Sequence, residues 1–80
     1  MLEEALEHLV KGIVDHKDDV VVRRKELRRG EVLEVRVHPD DLGKVIGRGG
    51  RTATAFRTVI SALAGRGGAR IDFVDVDRRN

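Results

Sequence analysis

Cysteine is absent from the 80 residues, and Phe56 and Phe73 are the only aromatic side chains of the Phe, Tyr and Trp class. Without cysteine neither a disulfide framework nor a thiolate metal site can form, so packing alone must hold the core, and nothing points to a secreted location. The length suits one small domain, residues 1–80, with a single core between two layers and no room for a second domain. Two phenylalanines are too few for recognition by base stacking on exposed aromatics, and both fall on apolar stripes that read as core. No apolar run approaches membrane-spanning length, and the opening MLEEALEHLVKG lacks the basic and unbroken apolar regions of an export signal. The expected location is therefore the cytoplasm, with no membrane association.

Acidic residues are missing from one long stretch. Between Leu42 and Ile71 there is no Asp or Glu, against six cations, Lys44, Arg48, Arg51, Arg57, Arg66 and Arg70. Residues 1–41 are net −3 and residues 72–80 net −1, so the overall charge of +2 conceals a segment of net +6. Positive charge confined in this way points to an anionic partner, nucleic acid first. A solvated face of no particular function is the alternative for charge segregation alone.

The apolar pattern divides the chain into six elements. Leu2, Leu6, Leu9, Val10, Ile13 and Val14 recur at helical spacing behind Glu3, Glu4 and Glu7, which predicts an amphipathic first helix. After a turn at Asp18-Asp19, VVVRRKEL reads as an edge strand with one solvated side. Arg29-Gly30 supplies a hairpin turn, and the alternation of Leu33, Val35 and Val37 with Glu34, Arg36 and His38 marks a second strand. Pro39 with Asp40 and Asp41 opens a helix that reaches about Ile46. Another helix follows from Arg51 to Ala64, with Phe56, Val59, Ile60 and Leu63 as its apolar stripe and Gly65 as its cap. ARIDFVDV is a short final strand. The expected class is α+β in the order αββααβ, a two-layered fold with three helices on one face of a three-stranded mixed sheet.

The tetrapeptide GRGG occurs twice, at residues 47–50 and 65–68, with different prospects. The first copy precedes a helix, whose unpaired N–H groups and positive dipole end attract phosphate. Gly47, Gly49 and Gly50 permit left-handed backbone angles and close approach of an anion, and Arg48 and Arg51 add charge. The second copy follows the same helix, where exposed carbonyls offer a phosphate nothing. Only Arg66 and Arg70 could help there, through their side chains. A dinucleotide fingerprint should follow a strand, and Thr52 stands where its third glycine belongs; a Walker A loop fails because Val45 and Arg51 occupy its first glycine and its lysine positions.

The stretch VIGRGG, residues 45–50, lying between a short helix opened by HPDD and a longer apolar-striped one, resembles the V-I-G-x-x-G core of the KH (K homology) nucleic-acid-binding domain. HPDDLGKVIGRGGRTATAFRTVISALA as a whole is similar to the small single-domain bacterial KH proteins of the KhpA type; the likeness covers nearly the full chain, is strongest from Arg36 to Ala64 and weak in the first 30 residues, and its G-x-x-G core region is residues 39–75. The resemblance implies a type II KH fold and a role as an RNA chaperone or post-transcriptional regulator, in which the G-x-x-G loop clamps the backbone of about four unpaired nucleotides. By motif position, Gly47 and Gly50 are the fixed glycines and Arg48 and Gly49 the variable loop residues. Lys44 and Arg51 flank the phosphate path, and Val45 and Ile46 help form the apolar floor under the bases. The segment from Gly65 to Arg70 falls at the variable loop, and Ile71 begins the strand closing the groove. One such short groove should bind weakly, so a second site in a homodimer or a partner is expected; the resemblance suggests a larger KH protein of the Jag type as that partner.

Other chemistries find little purchase. His8, His16 and His38 have no ligand partner at helical spacing, Asp72, Asp75 and Asp77 lack the rest of a calcium loop, and Ser61, the only serine, has no base placed for it. No catalytic residue, metal or cofactor is expected. Two further readings stay open: a helix-turn-helix DNA-binding module exposing Arg51, Thr54 and Arg57, and a protein-interaction KH domain whose RNA site is vestigial.

Overall fold

The computed structural model describes residues 2–28, 30–65 and 68–74. Helix α1 (Leu2–Lys11) is followed by strands β1 (Val21–Leu27) and β2 (Gly30–Arg36), helices α2 (Pro39–Ile46) and α3 (Arg51–Ala64), and strand β3 (Ala69–Val74). The sheet order is β1-β2-β3, with β1 antiparallel to β2 and β2 parallel to β3. A parallel pair cannot be joined by a hairpin, so β2 and β3 need a crossover, and α2, the first GRGG and α3 provide it. The expected αββααβ order and mixed sheet are both present.

Strand register sets the faces. Leu33 pairs with Ile71 and Val35 with Phe73, so the alternate residues of β2 and β3 point toward the helices. There Leu6 and Val10 of α1, Val45 of α2, and Phe56 and Ile60 of α3 join Leu33, Val35, Val37 and Ile71 in one buried cluster. Each such side chain contributes roughly 1.5–3 kcal/mol by leaving water. On the other face of the sheet Lys25 of β1 bonds Glu34 of β2 at 3.2 Å, as befits an exposed edge strand. The turn residue Arg29 lies outside the described residues; its neighbour Gly30 has φ 133°, an angle that favours glycine.

Three apolar positions depart from the sequence pattern. Helix α1 stops at Lys11 and Gly12 turns the chain, so Ile13 leaves the helical period and is exposed while Val14 remains in the core. On α3 the buried face is Ala53, Phe56 and Ile60, rotated from the expected stripe, which leaves Val59 42% and Leu63 59% exposed. The rotation places Arg57 against the sheet, its guanidinium 5.9 Å from the centre of the Phe73 ring. Phe73 is accordingly half-buried rather than fully core.

Candidate nucleic-acid interface

The first GRGG is held between two helices whose ends are fixed independently. His38 caps α2: its Nδ1 accepts the backbone N–H of Asp40 at 3.0 Å, and Pro39 occupies the first turn, where no N–H is required. At the other end the Gly47 N–H donates to the carbonyl of Gly43 at 2.9 Å, and the chain then leaves the helix at φ 78°, ψ 171°. That region is essentially reserved for glycine. A side chain at Gly47 is also excluded by space, because its Cβ would stand 2.8 Å from the Thr52 backbone nitrogen.

Arg48–Gly50 forms a single tight turn, closed by the Gly50 N–H donating to the Gly47 carbonyl at 3.1 Å. Gly49 (φ 64°, ψ 20°) and Gly50 (φ 76°, ψ 14°) are both left-handed, yet a Cβ on either would meet nothing within 4 Å. Glycine is needed at 47 by packing and angle together, at 49 and 50 by angle alone. Gly50 heads α3 and no side chain caps it, so the first N–H groups of this 14-residue helix face outward with the positive end of its dipole. Arg48 and Arg51 are exposed on either side, and neither forms an ion pair among the described residues.

The remaining sequence-selected residues divide. Ile46 is half-buried beside the loop, whereas Val45 is fully buried in the core and supports the loop from beneath rather than lining its surface. Lys44 does not extend along the loop: its ammonium bonds the Asp15 carboxylate and lies 3.7 Å from Asp41. The bond to Asp15 raises the Lys44 pKa above its ordinary value, reinforced by the charges of both carboxylates against its own desolvation. Arg66 lies outside the described residues. Arg70 is exposed on β3, toward the end of α3 remote from the loop, and the helix between them is about 21 Å long at 1.5 Å per residue.

Between α3 and β3 runs a groove of about 350 Å³ lined by Arg57, Ser61, Ala69, Arg70, Ile71 and Asp72. Arg57 thus shares this groove with Arg70 and with the carboxylate of Asp72, about 9 Å along α3 from Arg51. The sequence places Arg57 in the basic segment without marking it as part of the clamp; the rotation of α3 that turns it toward Phe73 is not visible in the apolar pattern.

A polar cluster behind the loop was also hidden from sequence. Asp41, only 1% exposed, accepts the backbone N–H groups of Asp15 (3.2 Å) and His16 (2.9 Å) and the His16 Nδ1–H (2.9 Å). Burial alone would push its carboxyl up, but these donors outweigh it and hold the pKa down to about 2. The His16 ring stacks on His38, centroids 3.8 Å apart and planes 10° from parallel. Ligand atoms of His16, His38 and Asp40 lie within 4.8 Å of one another. The stacked rings direct their lone pairs in separate parallel planes, however, and both Nδ1 atoms already have partners. One ion with ligand bonds of about 2.1 Å could not satisfy this arrangement, and its role is to tie the α1–β1 connection to α2.

Residues 3–76 match the family described as KhpA/KhpB, KH domain. The chain is 75% identical over 77 residues to the RNA-binding protein KhpA of Streptomyces coelicolor, covering 96% of each chain. It is 63% identical over 75 residues to the RNA-binding protein KhpA of Mycobacterium bovis, covering 94% of this chain and 92% of that one. The protein of that name from Halalkalibacterium halodurans is 42% identical over 76 residues, covering 92% and 100%. No solved structure matches the chain.

Proposed function

The chain belongs to the KhpA/KhpB family of KH domains, and on that premise we propose that it binds single-stranded RNA by clamping the backbone at residues 47–50. The observation that carries the reading is the combination at Gly47, Gly49 and Gly50. One glycine is pressed against Thr52, the next two are left-handed, and the uncapped start of α3 follows with Arg48 and Arg51 free beside it. Backbone N–H groups take one phosphate and the arginines its neighbours, while Ile46 lies beside the bases. Arg57 and Arg70 extend the path along the α3/β3 groove, with Arg66 added from the sequence.

The protein acts as a binder rather than an enzyme, in the cytoplasm, as an RNA chaperone or post-transcriptional regulator. No helix among the described residues is long and apolar enough to cross a membrane. Family membership sets aside the helix-turn-helix reading. A groove for about four nucleotides binds weakly alone, so useful affinity calls for a second site. The exposed flank of α3 at Val59 and Leu63 supports a second copy of the chain as its source, with a larger Jag-type KH protein as the alternative partner.

Titration of a labelled unstructured RNA tests the clamp. Replacing Arg48 and Gly49 together by Asp should abolish binding while the fold, followed by thermal melting, persists. Unchanged binding would overturn the reading, and retained folding without any RNA binding by the parent protein would favour the vestigial-site alternative.

A further inference from the structure

The family motif places Lys44 beside the phosphate path, but its side chain is turned toward two carboxylates. Asp15 lies 29 residues away in sequence, on the connection between α1 and β1, and Asp41 lies one turn back on α2. Asp41 is locked in place by two backbone N–H groups and His16. Asp15 is 74% exposed at its side chain and is followed by exposed Asp18 and Asp19. Lys17, the cation in the same connection, bonds the Val14 carbonyl instead. Asp15 and Asp41 thus set two negative charges beside α2, with the Lys44 ammonium between them. Lys44 is three residues before Gly47, about 4.5 Å along the helix axis, and Asp41 is six residues before it, about 9 Å, separations comparable with the Debye length of about 10 Å at 0.1 M salt.

Resting on the RNA-clamp reading, we infer that Lys44 is a shielding residue: it neutralises the Asp15–Asp41 pair that would otherwise repel RNA from the α2 side of the loop, and it touches no phosphate itself. Drawing Lys44 onto a phosphate would uncover both carboxylates at the moment RNA arrives, one of them buried. The cations available without such a loss are Arg48 and Arg51. Asp15 is correspondingly a negative determinant of affinity, and the phosphate path leaves the loop toward Arg57 rather than across the α1–β1 connection.

Charge-neutral replacement of the pair separates shielding from contact. Lys44→Gln alone uncovers the carboxylates and weakens RNA binding about threefold at 0.1 M salt, an effect that fades as salt rises. Adding Asp15→Asn restores net charge, and the double variant K44Q/D15N binds as the parent does, with the same dependence of log K on log salt. Asp15→Asn alone tightens binding by a similar factor. If Lys44 contacts a phosphate, the double variant stays weak and its salt slope is shallower by about 0.7, which overturns the inference. Thermal melts of each variant establish folding, and the neutral Gln–Asn pair can keep a hydrogen bond where K44Q alone is unstable. The R48D/G49D variant is the control for the premise. Binding by it at parent level overturns the clamp and this inference together, whereas its failure alongside a weak double variant overturns the inference alone.

Discussion

The backbone nitrogen of Thr52 lies where it would meet a Cβ on Gly47 at 2.8 Å, whereas a Cβ on Gly49 or Gly50 would meet nothing within 4 Å. The three glycines of the loop are therefore unequal. Gly47→Ala combines an angle essentially closed to other residues with an overlap against the first turn of α3, and should cost about 3 kcal/mol or more. Gly49→Ala and Gly50→Ala meet only the left-handed penalty, roughly 1–2 kcal/mol each. Urea melts of the three variants check the order, and equal losses would remove the distinction.

Asp41 makes the attachment of α2 sensitive to acid. Its folded pKa of about 2 lies below the ordinary value of 3.8, so ionisation favours the folded state. Its contribution is fully present above about pH 4 and is lost as pH falls through 3.8 toward 2. Asp41→Asn should lower stability at neutral pH and flatten the fall in stability between pH 4 and pH 2. Melting temperatures across that range read the difference, and parallel curves for parent and variant would discount the network around His16.

The exposed flank of α3 predicts self-association without a folding role. Val59 and Leu63 are both exposed, so V59E/L63E should change stability by no more than about 0.5 kcal/mol. The parent should approach twice the monomer mass in sedimentation as concentration rises, with the variant remaining monomeric and binding a long RNA less tightly through loss of the second site. A monomeric parent at all concentrations would assign the flank to a different partner.

Local rules made most of this architecture legible. The period of two in β2, Pro39 after His38, and glycines at both ends of the crossover place the strands, helices and loop within a few residues of where they lie. What sequence could not show depends on how elements rotate and meet. The buried face of α3 is set by Ala53, whose small side chain carried too weak an apolar signal to compete with Val59 and Leu63. The redirection of Lys44 depends on Asp15, and the burial of Asp41 on backbone donors at residues 15 and 16, on a connection that no periodicity links to α2. A motif position indicates where a side chain begins; partners from distant segments decide where its charge ends.

The two GRGG tetrapeptides should separate in one experiment. R48D/G49D puts two negative charges at the start of α3, where the helix dipole favours them and a phosphate is repelled. Gly49 is left-handed, a conformation Asp tolerates better than most residues, so the expected loss of stability is modest, about 1 kcal/mol. RNA binding should fail. R66D/G67D falls just past the C-terminal residue of α3 in sequence, at positions outside the described residues, and adds negative charge after the negative end of the helix dipole. That variant should lose about 0.3–1 kcal/mol of stability and only part of its affinity. For the parent protein, two or three phosphates contacted imply that log K falls against log salt with a slope of about −1.5 to −2, at roughly 0.7 per phosphate on a single strand. Titrations of an unstructured RNA at several salt concentrations measure all three proteins. Equal loss of binding from both variants, each shown to be folded, would erase the difference between the tetrapeptides and move the binding site off the N-terminus of α3.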